Sequence, residues 1–204
     1  CQDEQCRGDL FVVGDGGGSA HQTHRNADAP EKKEVGGWIE AGGDSFKVEA
    51  FLGEIPRRDD ASLPEVDALY IGGGFPETHA ERLVENRSMM KSAERQALDG
   101  LPIYAACGGL MYLSRSLRCK GVVYPMAGLF EIDLSMLRRP MGHGYTWAQV
   151  DEPNPFYAVG SSIRGHEFHY SAPLEGSSPM KSCMKVGTGV GRGGERDGQM
   201  SRAD

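Results

Sequence analysis

The chain has 204 residues, five cysteines, 29 glycines and a formal net charge of −7. That length favours one buried domain, and the acidic balance argues against a nucleic-acid surface while leaving small anionic substrates open. No run approaches the roughly 18 apolar residues a membrane helix needs, and the opening CQDEQCRGDL lacks the basic start and apolar middle of a signal peptide, so no membrane contact and a cytoplasmic location are expected. The cysteines, at positions 1, 6, 107, 119 and 183, form neither a disulfide framework nor paired zinc knuckles. A start on Cys1 and a stop on QMSRAD read as a piece of a longer polypeptide.

Residues 1–45 read as a poorly ordered arm without assignment. After the apolar LFVV comes GDGGGSAHQTHRNADAPEKKEVGG, polar and aperiodic. Its glycines lack the lysine and Ser/Thr of a phosphate loop, and His21 and His24 have no cysteine or carboxylate pair beside them, so no metal site is expected. A domain is expected over residues 46–204. FKVEAFLG alternates as a strand, and DALYIGGG is an apolar run that stops on three glycines. THAERLVENRSMMKSAERQALDG follows as a helix with capping-box spacing at Thr78 and Glu81, a stop at Gly100, and a break at residues 86–88. LPIYAA is then a buried strand and GGLMYLSRSL a helix. Strand and helix in alternation predict an α/β fold, a parallel sheet covered on both faces. The second half is less regular. VVYPMAGLFEIDLSM, GHGYTWAQV and GHEFHYSAPL read as extended segments, and KVGTGVGRGGERDG reads as loop with at most a short strand. Period two in GHEFHYS sets Glu167 and His169 on one face and His166, Phe168 and Tyr170 on the other.

Cys107, in IYAACGGLMYL, falls at the junction of a strand and the following helix, the carboxyl edge where open α/β sheets bind ligands. Ala105, Ala106, Gly108 and Gly109 supply the small neighbours that a tight, strained turn demands. The helix start favours negative charge on the sulfur, and the thiolate is the nucleophile. The Gly108 N–H points toward an oxyanion formed on attack, and the neighbouring glycine loop, with Gly73 and Gly74, offers a second donor. Small residues and a cysteine also suit a plain core position. The other cysteines lack such a setting and read as structural.

DALYIGGGFPETHAERL, GLPIYAACGGLMYL and GHEFHYS, in this order, closely resemble the C-terminal glutamine amidotransferase domain of cobyrinic acid a,c-diamide synthases, a branch of the class I glutamine amidotransferases. The likeness spans about residues 46–198. It implies a flavodoxin-like, mostly parallel sheet with helices on both faces, and L-glutamine hydrolysed at Cys107 through a glutamyl thioester. It further implies that the ammonia amidates a corrinoid or related tetrapyrrole in cobalamin biosynthesis. ATP and Mg2+ would be used in a synthetase domain outside this chain, and no cofactor is expected within it.

Three departures accompany the resemblance. Ala106 stands where the family usually has glutamate, the synthetase domain is absent, and the family's activating histidine lies in a segment downstream of Asp204. His169 is the remaining candidate for the base, oriented by Glu167, with His166 and Glu167 otherwise on the substrate side or structural. His79 and His143 read as solvated. Arg57, Arg58, Arg138 and Arg139 read as a charged face or as partners for corrin carboxylates. The resemblance also admits a synthase acting on sirohaem-like or nickel-sirohydrochlorin substrates, and an inactive remnant serving as a binding or coupling module. The elbow alone admits an unrelated cysteine hydrolase.

Overall fold

A computed structural model describes the side chains of residues 62–64, 66–174, 181–191, 196–198 and 200, and the backbone also of 9–13, 35–41, 44–51, 199 and 201–202. The strands are β1 Asp9–Val13, β2 Val35–Ala41, β3 Asp44–Phe51, β4 Ala68–Ile71, β5 Ile103–Ala106, β6 Ser114–Cys119, β7 Val122–Pro125, β8 Phe130–Met136, β9 Gly142–Val150, β10 Ser162–His169, β11 Ser171–Pro173, β12 Lys181–Thr188 and β13 Arg196–Arg202. The α-helices are α1 Ala80–Glu85, α2 Arg87–Leu98 and α3 Gly108–Leu113.

The larger sheet runs β10-β9-β12-β13-β1-β5-β4-β3-β2 and the smaller β11-β8-β6-β7. The expected parallel block is present, with β1, β5, β4 and β3 pairing side by side in parallel. The sheet is nevertheless mixed, because β2 closes one end antiparallel and β13, β12, β9 and β10 extend the other as an antiparallel ribbon. Strands β1 and β2 fall inside the stretch read as an arm, and β1 stands in the middle of the sheet. The glycine-rich residues 14–34, with His21 and His24, lie outside the described residues, as do Cys1, Cys6, Arg57 and Arg58.

One apolar core holds the parallel block to everything on its helical side. Leu69, Ile103 and Ala105 of the sheet meet Leu83 of α1, Met89, Ala93 and Ala97 of α2, Met111 and Leu113 of α3, and Leu117, Phe130, Ile132 and Leu134 of the small sheet, all buried. Burial of such side chains is the main favourable term in folding. The helical stretch breaks at Asn86, as its sequence indicates, since the Asn86 side chain accepts from the Met89 N–H and caps α2. Gly100, at φ 108, ends α2 with its N–H on the Ala97 carbonyl. The expected capping box is replaced. Thr78 sits in a short 3-10 turn, Pro76–Thr78, and its hydroxyl donates to the Phe75 carbonyl, so α1 starts at Ala80.

Three further readings change. The helix after Cys107 stops at Leu113, where the Ser114 hydroxyl donates back to the Met111 carbonyl at 2.7 Å, and SRSLRC becomes strand β6 between β7 and β8. The late glycine-rich segment holds the end of one strand, β12, and the start of another, β13. On the face of β5 that bears Tyr104, the described cover is the loop over residues 151–161 rather than a helix, with Phe156 and Tyr157 supplying the apolar surface.

Candidate active site

Strand β5 places Ile103 and Ala105 in the core and delivers the chain to Cys107 at the carboxyl edge of the parallel block. Cys107 has φ 50 and ψ −110 and is the N-cap of α3, with no side chain capping that helix. A non-glycine residue there is strained by about 1–3 kcal/mol and persists only where the surroundings over-determine it. The surroundings do so here. A Cβ at Gly109 would stand 2.4 Å from the Ile71 carbonyl oxygen, and a Cβ at Gly108 would stand 2.8 Å from both the nitrogen and the oxygen of Gly74. The start of α3 is therefore pressed against the end of β4, and only glycine permits the approach. The Met111 N–H closes the first turn on the Cys107 carbonyl at 3.2 Å.

The glycine loop after β4 lies against the thiol. A Cβ at Gly73 would meet Cys107 Cβ at 3.5 Å and Sγ at 3.9 Å. Of the residues expected in the site, Cys107, Gly73, Gly74 and Gly108 are thus brought together, with Cys107 half-buried. The same loop runs into the Pro76–Thr78 turn, which packs against α3. There Glu77 Oε2 is buried with no hydrogen-bond partner among the described residues, an open acceptor of the kind that calls for a donor.

Below the turn lies an aromatic group that sequence reasoning missed. Tyr70 and Tyr104 are register partners with ring centroids 5.4 Å apart. The Tyr104 and Tyr157 hydroxyls are 3.2 Å apart, and Phe156 meets Tyr104 edge to face at 5.3 Å. Burial, then the neighbouring Tyr157, raises the pKa of both Tyr70 and Tyr104, and Cys107 contributes at Tyr70. Asn154 places this loop. Its Oδ1 accepts from the N–H of Phe156 and of Tyr157, and its amide donates to the carbonyls of Glu152 and Tyr157. An asparagine before proline is a turn signal, and the aromatic pair behind it in NPFY is the cue that could have found the cover.

Strand β10 sends its residues elsewhere. It lies at the far end of the sheet, five strands from β5, which at the usual strand spacing is ~24 Å. That strand order sets His169, the candidate base, apart from Cys107. Its Nδ1 donates to the Ser171 carbonyl at 3.0 Å, and its Nε2 edge packs on Gly142. Glu167 is buried, at 2% exposure, and its two oxygens accept from the N–H groups of Val190 and Gly191 at 2.8 Å each. It thereby anchors the loop after β12, where Gly189 has φ 112 and Gly191 φ 55. The expected alternation holds, with His166 and Phe168 exposed on the opposite face, and His79, His143, Arg138 and Arg139 are exposed as well. Cys119 and Cys183 are buried, and burial pushes the Cys183 thiol up to about 12, away from nucleophilic chemistry. Among the described residues no group of three or more His, Cys, Asp or Glu side chains is placed to hold a metal ion, and no helix is long and apolar enough to cross a membrane.

Comparison with known proteins gives three results. The CobB/CobQ-like glutamine amidotransferase domain family matches residues 47–204. Curated relatives include the cobyrinate a,c-diamide synthases of Caldanaerobacter subterraneus subsp. tengcongensis (45% identical, 62% of this chain and 28% of the relative) and Listeria innocua (43%, 70% and 29%). That of Methanosphaera stadtmanae is 40% identical over 68% of this chain and 30% of the relative, so the chain spans under a third of the length of these relatives. A solved glutamine amidotransferase aligns over 60% of this chain and 61% of its own at 16% identity, with a TM-score of 0.45.

Proposed function

Because the chain belongs to the CobB/CobQ-like glutamine amidotransferase domain family, we propose that it releases ammonia from L-glutamine at Cys107, as the glutaminase part of a cytoplasmic cobyrinate a,c-diamide synthase. The observation that carries this reading is the strained Cys107 backbone, locked where Gly108 and Gly109 press on the end of β4. The thiolate attacks the amide carbon of glutamine, and the C=O electrons move to oxygen. The N–H groups of Gly108 and of the Gly73–Gly74 loop receive that oxyanion. On its collapse the C–N bond breaks, and the nitrogen leaves as ammonia after gaining a proton. Water then cleaves the glutamyl thioester, giving glutamate and restoring the thiol. Glu77 accepts from the α-ammonium of the substrate, which fills its open acceptor. Tyr70 and Tyr104, kept protonated by burial, form the apolar floor of the turn.

The acceptor is a tetrapyrrole carboxylate, activated with ATP and Mg2+ by a synthetase part outside this chain. The relatives' names support the corrinoid. The test is alkylation by a diazoketone analogue of glutamine. Mass spectrometry should place one adduct on Cys107, Cys107→Ser should carry none, and Glu77→Gln should raise the analogue concentration needed for half-maximal labelling. Labelling of Cys119 or Cys183 in its place would sink the reading.

A further inference from the structure

Glutamine chemistry leaves the outer face of the β9–β10 hairpin unexplained. Alternation turns Thr146, Ala148, Val150 and Glu167 inward, where they are buried, and sets opposite pairs outward in register: Trp147 with Arg164, Tyr145 with His166, His143 with Phe168. Tyr145 is 84% exposed, Phe168 47% and Trp147 36%. These rings hold one another edge to face, His143 to Phe168 at 5.7 Å, Tyr145 to His166 at 5.8 Å and His143 to His166 at 6.0 Å. The Trp147 indole is fixed over Gly187 of β12, where any Cβ would overlap it. The face is thus a preformed aromatic floor, which costs little side-chain entropy to use.

Its charge points to the occupant. In a chain of net charge −7 no outward position of β9 or β10 carries a carboxylate, while Arg164 and two imidazoles stand among the rings. Arg138 and Arg139 are exposed in the turn before β9, which the Met141 N–H ties to the His169 carbonyl. From the Trp147–Arg164 row to the His143–Phe168 row is roughly 14 Å along the strands, the scale of a substituted macrocycle. An apolar ring-lined floor edged by cations suits a broad, apolar-faced polyanion.

We propose that the outer face of the β9–β10 hairpin binds a tetrapyrrole polycarboxylate, its ring lying on Tyr145, Trp147 and Phe168 and its acid arms meeting Arg164, His143 and His166. The ligand class rests on the function proposed above; the site does not involve Cys107. It makes the amidotransferase chain a docking platform for the acceptor as well as the source of ammonia.

The test is equilibrium dialysis of the 204-residue chain against cobyrinic acid, followed by corrin absorbance. Saturable binding is expected. Arg164→Glu and Tyr145→Ser should each weaken it by roughly tenfold or more, the loss of one charge-assisted bond or one stacking ring. The equal charge change Arg95→Glu on α2 should alter it by less than about twofold, and thermal midpoints verify that all three fold. Absence of saturable binding, or equal affinities across the variants, overturns the proposal. So does a sedimentation dimer that Tyr145→Ser dissolves in a chain that binds no corrin, which would make the face a contact between copies. Cys107 alkylation in the same preparation separates the two readings. Alkylation without corrin binding removes the platform alone, and corrin binding without alkylation removes the glutaminase alone.

Discussion

The turn at Cys107 and the strand β10 carry comparably suggestive residues, a thiol among glycines and a glutamate two places from a histidine, and the fold uses them in opposite ways. At Glu167 the carboxylate, and at His169 the Nδ1 atom, is bound to main chain. Both carboxylate oxygens accept N–H groups from the loop after β12, and the imidazole donates to a carbonyl two residues on. At Cys107 the backbone is held at φ 50 against its own preference by contacts that leave no room for a side chain on either following residue. A buried polar group saturated by main chain is a brace. A strained residue at a sheet edge is an expense that structure alone does not require.

That contrast can be broken most directly at Gly109. Gly109→Ala drives a methyl into the Ile71 carbonyl, with 2.4 Å of clearance, and should cost about 3 kcal/mol, near the top of the overpacking range; a urea midpoint matching the parent would show that the elbow is not locked. Next, Glu167→Leu leaves two loop N–H groups without their acceptor and should cost about 2 kcal/mol. It should not change the rate at which Cys107 is alkylated, nor should His169→Ala, and slower alkylation in either would return β10 to the chemistry. Third, Cys107→Gly and Cys107→Ala should both be inert, yet the glycine variant should melt higher. Relief of the positive φ outweighs the chain entropy of glycine by about 1 kcal/mol. An alanine variant of equal stability would mean the turn stores no strain.

The smallest effect lies in neither region and calibrates both. Arg115 and the Ser116 hydroxyl hydrogen-bond the Asp133 carboxylate and lower its pKa from 3.8 to about 2. A carboxyl depressed in the folded state stabilises above its unfolded pKa and loses that contribution as pH falls through the folded one. Stability should therefore drop between about pH 4 and pH 2 in the parent, and Asp133→Asn should flatten that drop by less than about 1 kcal/mol, since the pair is partly exposed and screened. Acid unfolding curves of the two proteins compare it.

What could be read from residues was what neighbours in sequence decide. The apolar runs of β4 and β5, the glycine stop after each and the break at Asn86 are all local, and all are present; Gly73 and Gly74 come to Cys107 through the parallel pairing of β4 with β5. The end of α3 was less legible because GGLMYLSRSL keeps an apolar pattern compatible with either period until Ser114 turns back on Met111. Strands β12 and β13 hold one glycine each and flank a glycine-rich stretch that masks them. They are held by partners far along the chain, among them Arg196 of β13, whose guanidinium donates to Asp151, 45 residues away. The distance from His169 to Cys107 was the least legible of all, for it depends on strand order across the whole sheet and on no spacing within GHEFHYS.

The closeness of Gly109 to Ile71 also sets a rule for rebuilding. The turn at Cys107 and the end of β4 share one steric envelope, so residues 103–113 are not a transplantable motif by themselves. Moved into another α/β sheet, they would need residues 68–74 carried with them in the same register, and a host strand whose last carbonyl stood elsewhere would let Cys107 relax into an ordinary, unstrained cysteine.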